Sequence, residues 1–212
     1  MGEIINLPRG RGLTPTAVNG KVAPPRRRKN SETRIREHLT PDEVEQLLAA
    51  ARRGARYGQR DETLVLLAYR HGFRVSELVA LRWEQIDFTS GLLHVRRAKR
   101  GTPSTHPVQG DELRALRRLM REWPSSSYIF ASERGGPMTA SNVRKLIARL
   151  GRDAGLAFPV HPHQLRHACG YALANAGHDT RAIQHWLGHR NIVHTARYTE
   201  LAPDRFKGFW RD

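Results

Sequence analysis

The chain has 212 residues, of which 39% are hydrophobic, so it can bury the core of one ordinary domain plus a tail, or of two small domains. Its single cysteine excludes an internal disulfide and every metal site built from several cysteines. The sequence has no 18-residue apolar run, and we expect neither a membrane span nor a secretion leader. The formal net charge of +16 makes a polyanion the expected partner, and we favour nucleic acid over a membrane surface because no basic amphipathic helix carries a Trp or Phe face.

Residues 1–37 are interpreted as a flexible basic N-terminal arm. Scattered Pro and Gly, few large apolar residues and no sustained period favour flexibility. The arm contains a basic block, Arg26, Arg27, Arg28 and Lys29. Such a charge run is usually a solvated tail, and the alternative is an arm that follows DNA phosphates. Because the rest of the chain is basic as well, we favour DNA contact for these four residues.

A folded domain, residues 38–200, is expected to begin with a helix signal at Thr40. Residues 40–43 (TPDE) form a capping box with Pro at the first helical position, and apolar residues follow at helical spacing. A second apolar helix is predicted over 61–71 and a short third helix over 75–81. Glu77 stands three residues after Arg74, so its carboxylate is expected to orient that arginine.

The middle of the chain predicts a β-hairpin. Strands over 92–97 and 105–108 flank a turn that would hold Lys99 near its tip. The elements predicted after the hairpin are a helix over 111–123, a short buried strand over 128–131 and a helix over 139–153. Together these patterns predict a mainly α fold with a small antiparallel β-hairpin or sheet, an α+β arrangement.

The histidine-rich stretch over 161–199 is typical of three short helices. Gly177 ends the first helix, Asp179 can cap the second, and Gly188 ends it. His163 and Arg166 are expected to share a face of the first helix near its positive N terminus, which suits an anion. Because the breaks re-aim the chain, four side chains can converge: His163, Arg166, His189 and Tyr198.

The remaining histidines of this stretch are interpreted as structural. Their number suggests a metal site, but neither an HExxH motif nor paired ligand spacing with carboxylates occurs, so we expect no metal. His167 is expected to pack or to hydrogen-bond behind the active face. The others are His161, His178, His185 and His194.

Five motifs, taken in chain order, resemble the active-site motifs of the tyrosine recombinases and integrases. They are GFRVSEL from Gly72, Lys99 on its hairpin, HQLR from His163, LGH ending at His189, and YT from Tyr198. The segments HGFRVSELVALR, HPHQLRHACGYALANAG and LGHRNIVHTARYT are similar to those of the small recombinases that invert the promoter segment of type 1 fimbriae. The resemblance implies a tyrosine recombinase catalytic-domain fold and site-specific DNA recombination that needs no metal, ATP or other cofactor.

These residue types also suit the cutting of a phosphodiester for reasons apart from the resemblance. The reaction needs a nucleophile, positive charge around a five-coordinate phosphorus, and a proton for the departing 5′ oxygen. The implied roles are Tyr198 as nucleophile forming a 3′-phosphotyrosyl link, His163 as its base or hydrogen-bonding partner, Arg74, Arg166 and His189 as donors to the phosphate, Lys99 as general acid, and Glu77 as the group that orients Arg74. Further arginines expected to contact DNA are Arg100, Arg190 and Arg197.

The resemblance implies partners as well: double-stranded DNA with inverted-repeat recombination sites, three further copies in a homotetramer, and accessory DNA-bending proteins, all in the cytoplasm at the nucleoid. Residues 201–212 form a tail with three aromatic residues, Phe206, Phe209 and Trp210. The two interpretations are that they cap the chain's own core and that the tail docks on a neighbouring subunit, and we expect docking. We expect the chain to differ from the larger integrases, because residues 1–37 are too few and too polar for the N-terminal domain that completes their clamp around DNA. The sequence leaves open whether the recombination inverts, integrates or excises a DNA segment. The rival functions are DNA relaxation of the type IB topoisomerase kind and DNA-binding regulation with little cleavage.

Overall fold

A computed structural model describes residues 36–54, 56–97 and 102–200, together with the backbone of two strands nearer the N terminus. The chain divides into two compact units, residues 1–35 and 36–212. Several predicted features lie outside the described residues: the block Arg26, Arg27, Arg28 and Lys29, the hairpin residues Lys99 and Arg100, and the tail 201–212.

The described part of the first unit is a small antiparallel pair of strands. Strands β1 (Ala17–Val18) and β2 (Lys21–Val22) pair with Ala17 opposite Val22. The composition of the arm did not predict this pairing. A local signal was present, because the sequence between the strands is Asn-Gly, a dipeptide strongly preferred in two-residue hairpin turns.

The described part of the second unit contains eight α-helices and one three-stranded antiparallel sheet. The helices are α1 (Pro41–Arg52), α2 (Gly58–Arg70), α3 (Val75–Val79), α4 (Gly110–Glu122), α5 (Ala140–Asp153), α6 (Pro162–Asn175), α7 (Thr180–Leu187) and α8 (Val193–Glu200). The strands, in spatial order, are β3 (Ile86–Asp87), β4 (Leu92–Val95) and β5 (Ser104–Pro107). The predicted α+β class is confirmed.

Local signals place the helix ends of this unit. The Thr40 hydroxyl accepts from the Glu43 amide while the Glu43 carboxylate accepts from the Thr40 amide, which confirms the predicted capping box. Asp179 caps α7 through the amides of residues 181 and 182. Gly177 and Gly188 have φ of +84° and +64°, so the chain can reverse after α6 and after α7.

The predicted strand over 128–131 is wrong as a strand, although its burial is correct. Ile129 and Phe130 are fully buried. Their segment pairs through isolated bridges on two separate partners, Tyr128 with Arg82 and Ala131 with Pro137. Pro137 has no amide to donate to a ladder, and the bridge of Tyr128 to Arg82 is likewise a single residue pair, so the segment does not form a strand.

The functional residues lie beside a small apolar cluster next to the main core. Its buried members are Cys169, Ala174, Ile183, Leu187 and Tyr198, contributed by α6, α7 and α8. Gly72, at φ +58°, brings the end of α2 against this cluster, because a Cβ there would meet the side chains of Leu187 and Cys169. This close approach places the segment that carries Arg74 next to α6 and α7.

Within the described ranges, no helix has both the length and the apolar character that a membrane crossing requires.

Candidate active site

Arg74 sits at the N terminus of the short helix α3 and is held by the carboxylate of Glu77. Its Nη1 donates to Glu77 Oε1 at 2.8 Å, and its backbone amide donates to Glu77 Oε2 at 2.9 Å. The Arg74 side chain is 25% exposed, whereas that of Glu77 is 1% exposed. The predicted pairing is therefore confirmed, and it leaves part of the Arg74 guanidinium open to a ligand.

Arg166 lies beneath the surface on α6 and joins the turn after α2 to the end of α7. Its Nη1 donates to the carbonyl of Gly72, and its Nη2 donates to the carbonyl of Leu187 at 2.7 Å. Burial, together with the charges of Arg74 and other nearby cations, lowers the pKa of Arg166 to about 10. The guanidinium is therefore still charged at neutral pH, and it carries N–H groups beyond the two that these carbonyls accept.

A surface groove of about 680 Å³ runs along this part of the molecule. Its lining includes Arg74, His189 and Arg190. His189 Nδ1 lies 2.9 Å from the Thr195 hydroxyl. Burial, with the charges of Arg166 and Arg74, lowers the pKa of His189 to about 3, so this imidazole is neutral near pH 7. If Nδ1 accepts from Thr195, the proton of His189 resides on Nε2.

Tyr198 is buried beside the groove, with 1% of its surface exposed. Its hydroxyl lies 2.7 Å from Nδ1 of His167, and its ring stacks at 22° on that of His189 with centroids 6.4 Å apart. The ring also lies against Gly170, where a Cβ would come within 2.7 Å of three ring carbons. Only a residue without a side chain permits this approach on α6.

Burial controls the protonation of this pair. It raises the pKa of Tyr198 to about 12, although the charges of Arg166 and Arg197 act in the opposite direction. Burial, followed by the charges of His163 and Arg166, lowers the pKa of His167 to about 3. At neutral pH both groups are therefore uncharged, and a neutral His167 can accept the proton of the Tyr198 hydroxyl in a hydrogen bond.

His167 was expected behind the active face, and the structure places it at the nucleophile candidate instead. His163 is exposed at the start of α6, with its ring edge-on to that of His167 at 4.6 Å between centroids. Although His163 and Arg166 are three residues apart, the first is exposed and the second is 1% exposed. The missed signal was helical spacing, since His167 and Gly170 stand three apart on one side of α6 and an isolated glycine indicates close packing.

The predicted DNA contacts that fall in the described ranges differ in their surroundings. Arg190 is exposed in the groove. Arg197 donates to a carboxylate oxygen of Glu37, and its guanidinium lies 5.7 Å from the Tyr198 ring centroid. Among the residues with described side chains, no three His, Cys, Asp or Glu residues form a group that could hold a metal ion.

The sequence pattern described as "Phage integrase family" matches residues 37–205. Type 1 fimbriae regulatory protein FimE of Escherichia coli (strain K12) is 44% identical over 181 residues, which cover 82% of this chain and 91% of that protein. FimB of the same strain is 41% identical over 185 residues, covering 85% and 92%.

Solved structures also share the fold. The crystal structure of XerA recombinase matches with a TM-score of 0.71 and 27% identity, over 83% of this chain and 64% of that chain. The Tn1549 transposon integrase in complex with transposon right end DNA matches with a TM-score of 0.65 and 26% identity, over 76% and 60%. The chain thus spans less than two thirds of these two solved chains. It belongs to the phage integrase family and is a tyrosine-type site-specific recombinase.

Proposed function

We propose that this recombinase cuts DNA by attack of the Tyr198 oxygen on a phosphodiester held in the groove beside it. A bond forms between that oxygen and phosphorus while the bond from phosphorus to the 5′ oxygen breaks, which leaves a 3′-phosphotyrosyl link. A histidine accepts the phenolic proton, and Lys99 supplies a proton to the departing oxygen. The observation that carries the proposal is the convergence of Arg74, Arg166 and His189 around the buried Tyr198.

The two arginines are assigned to the phosphate because their donors are oriented before DNA arrives. Arg74 is held by Glu77, and Arg166 is held by the carbonyls of Gly72 and Leu187. Fixed donors stabilise the charge that develops in the transition state without reorganising, and loss of one such donor typically costs about 3 to 4 kcal/mol of barrier. His189 is neutral, and with Nδ1 accepting from Thr195 its Nε2 proton would supply a third donor.

The described conformation corresponds to a resting state in this proposal. Tyr198 is 1% exposed, so a phosphate cannot approach its oxygen unless α8 shifts. The Tyr198 hydroxyl is meanwhile held by His167. In the proposed sequence, DNA binding moves α8, the hydroxyl leaves His167, and His163 becomes the base or hydrogen-bonding partner at the scissile phosphate.

Lys99→Ala tests the assignment of the general acid. The cleavage rate of ordinary DNA is expected to fall by roughly 10² to 10⁴, because the 5′ alkoxide would leave without its proton. A substrate with sulfur at the 5′ bridging position has a leaving group that needs no proton, so it should restore the rate. Lys99→Arg is the matched variant, since it keeps the charge but cannot release a proton near pH 7. Equal defects on both substrates would remove Lys99 from this role.

We propose that the DNA substrate carries inverted-repeat sites and that a homotetramer of this chain binds them. Accessory DNA-bending proteins would assist, and the reaction would take place in the cytoplasm at the nucleoid. The DNA partner is supported by the DNA complex of the Tn1549 integrase, and recombination by the identity with FimE and FimB. The tetramer, the accessory proteins and the nucleoid location are proposed from the family resemblance. Inversion is the favoured outcome because of the fimbrial relatives. Sequencing the DNA around the gene in a population checks it, since inversion requires a segment present in both orientations between short inverted repeats.

The N-terminal arm is proposed to contact DNA phosphates through its basic block. Replacing Arg26, Arg27, Arg28 and Lys29 with Gln should weaken DNA binding and flatten its salt dependence, by a slope of about 0.9 for each phosphate that the arm no longer neutralises. The measurement is the DNA dissociation constant across a series of salt concentrations. An unchanged slope would show that the block remains solvated in the complex.

A further inference from the structure

Arg97 is a buried arginine outside the catalytic set. It follows strand β4, and its side chain is 0% exposed. Its Nη1 donates to Glu77 Oε2 at 3.1 Å, while its Nη2 contacts two backbone carbonyls, those of Trp186 and, at 3.4 Å, His71. One guanidinium therefore joins α3 to the C-terminal ends of α2 and α7.

The groups that Arg97 contacts either hold a proposed phosphate ligand or adjoin a residue that holds one. Glu77 holds Arg74. The two carbonyls that Arg97 contacts belong to the residues just before Gly72 and Leu187, whose own carbonyls accept from Arg166. Arg97 thus fixes the Glu77 carboxylate that orients Arg74, and it fixes the backbone whose carbonyls orient Arg166.

The chain also turns directly over Arg97 before it reaches His189. Gly188 has φ +64°, and a Cβ at this position would lie 2.7–2.8 Å from Cγ, Cδ and Nε of Arg97. Residue 188 must therefore adopt a left-handed backbone conformation and must leave room for the side chain of Arg97. Glycine satisfies both requirements. His189 consequently enters the groove from a backbone that rests on Arg97.

We infer that Arg97 is a positioning residue, which locks the Glu77 carboxylate and through it the guanidinium of Arg74 in the orientation that the DNA phosphate requires. The inference rests on the proposed role of Arg74 as a phosphate ligand. Arg97 does not reach DNA itself, because its side chain is fully buried. Burial of a charged pair seldom adds net stability compared with apolar packing, so what Arg97 contributes here is orientation.

The protonation of Glu77 provides a readout that simple packing would not affect. Burial raises the pKa of Glu77, but the Arg74 amide and the charge of Arg97 outweigh burial and hold that pKa below its ordinary value. Within the described ranges, the charged groups that face Glu77 include Arg74 from α3, Arg97 after β4 and Arg166 from α6. A carboxylate with a lowered pKa keeps its ion pair above that pKa and loses it as the pH falls. Without Arg97, the pKa of Glu77 should rise.

The test compares Arg97→Met with Arg96→Met. Arg96 is the adjacent arginine, with a side chain that is 75% exposed and paired only loosely with exposed Glu84 at 3.4 Å. Cleavage of a nicked DNA substrate is measured in single turnover at saturating protein across a pH series. Arg97→Met should lower the rate by roughly 10- to 100-fold, by analogy with the loss of a residue that orients a metal ligand. The acid limb of its pH profile should move to higher pH while the DNA dissociation constant stays unchanged, and Arg96→Met should match the unaltered chain in all three measurements.

A second substrate separates the two routes by which Arg97 could act. Lys99 follows Arg97 by two residues, so loss of Arg97 could instead disturb the general acid. If the inference is correct, the 5′ bridging sulfur substrate leaves the Arg97→Met defect in place. Full restoration by sulfur would overturn the inference in favour of a role through Lys99, and a normal rate on ordinary DNA would overturn it outright.

Folding and the proposed function are controlled separately. If Arg97→Met is not folded at the assay temperature, Arg97→Lys replaces it, since lysine keeps the charge but lacks the planar fork that reaches the three acceptors. The same fall in rate is expected, and an unchanged rate with an unchanged acid limb would overturn the inference. If the unaltered chain forms no covalent adduct on any candidate site, the proposed function fails, which is distinct from the failure of Arg97 alone.

Discussion

Tyr198→Phe is expected to abolish the SDS-resistant protein–DNA adduct on a nicked substrate and to lower cleavage by roughly 10⁴-fold or more. The variant removes only the oxygen that would bond to phosphorus. The ring packs against Gly170 and Tyr171, and phenylalanine preserves those contacts. DNA binding should therefore persist, which separates loss of chemistry from loss of the complex.

Tyr171→Phe is the matched control for this experiment. Its ring meets that of Tyr198 edge-on at 5.0 Å between centroids, so both substitutions remove a hydroxyl from the same aromatic group. Adduct formation should be normal in this control. An adduct that survives in Tyr198→Phe would assign the nucleophile to another residue.

Arg166→Lys should lower the cleavage rate by roughly 10² to 10³ and also lower the free energy of unfolding by about 1 to 3 kcal/mol. Lysine keeps a positive charge but cannot reproduce the two separate nitrogens that donate to Gly72 and Leu187. One buried carbonyl would then lack its donor, and the phosphate would lose a fixed ligand. Single-turnover cleavage and thermal unfolding measure the two effects.

Arg152→Lys is the control for Arg166→Lys, because Arg152 is exposed near the end of α5. Neither cleavage nor stability should change in this control. A methylphosphonate substrate gives a further check, since it lacks one non-bridging oxygen charge and should reduce the difference between Arg166→Lys and the unaltered chain. A destabilised Arg166→Lys that cleaves DNA at the normal rate would leave Arg166 with a structural role only.

The helix limits and the ordered motifs could be predicted from sequence because their causes are local. A capping box at Thr40, an acidic cap at Asp179 and a left-handed glycine at position 188 act within one turn of the chain. The ion pair of Arg74 with Glu77 spans three residues on a helix start. Patterns of this kind need no knowledge of distant segments.

The strand predicted over 128–131 shows where local patterns fail. Its burial followed from composition, but strand formation depends on partners elsewhere in the chain. The two available partners, Arg82 and Pro137, each pair at a single residue. A ladder requires consecutive donors and acceptors on one neighbour, and this requirement is not visible in the segment itself.

The sequence by itself therefore determined the class of the fold, the family motifs and the residue types suited to cutting a phosphodiester. Only the tertiary structure decided that Tyr198 is buried and that its hydroxyl is hydrogen-bonded to His167. It also decided that the buried Arg97 donates to the carboxylate of Glu77. These contacts join residues 20 or more positions apart through close packing. No local propensity encodes such contacts, because they exist only once α6, α7 and α8 have packed against the loop that carries Arg74.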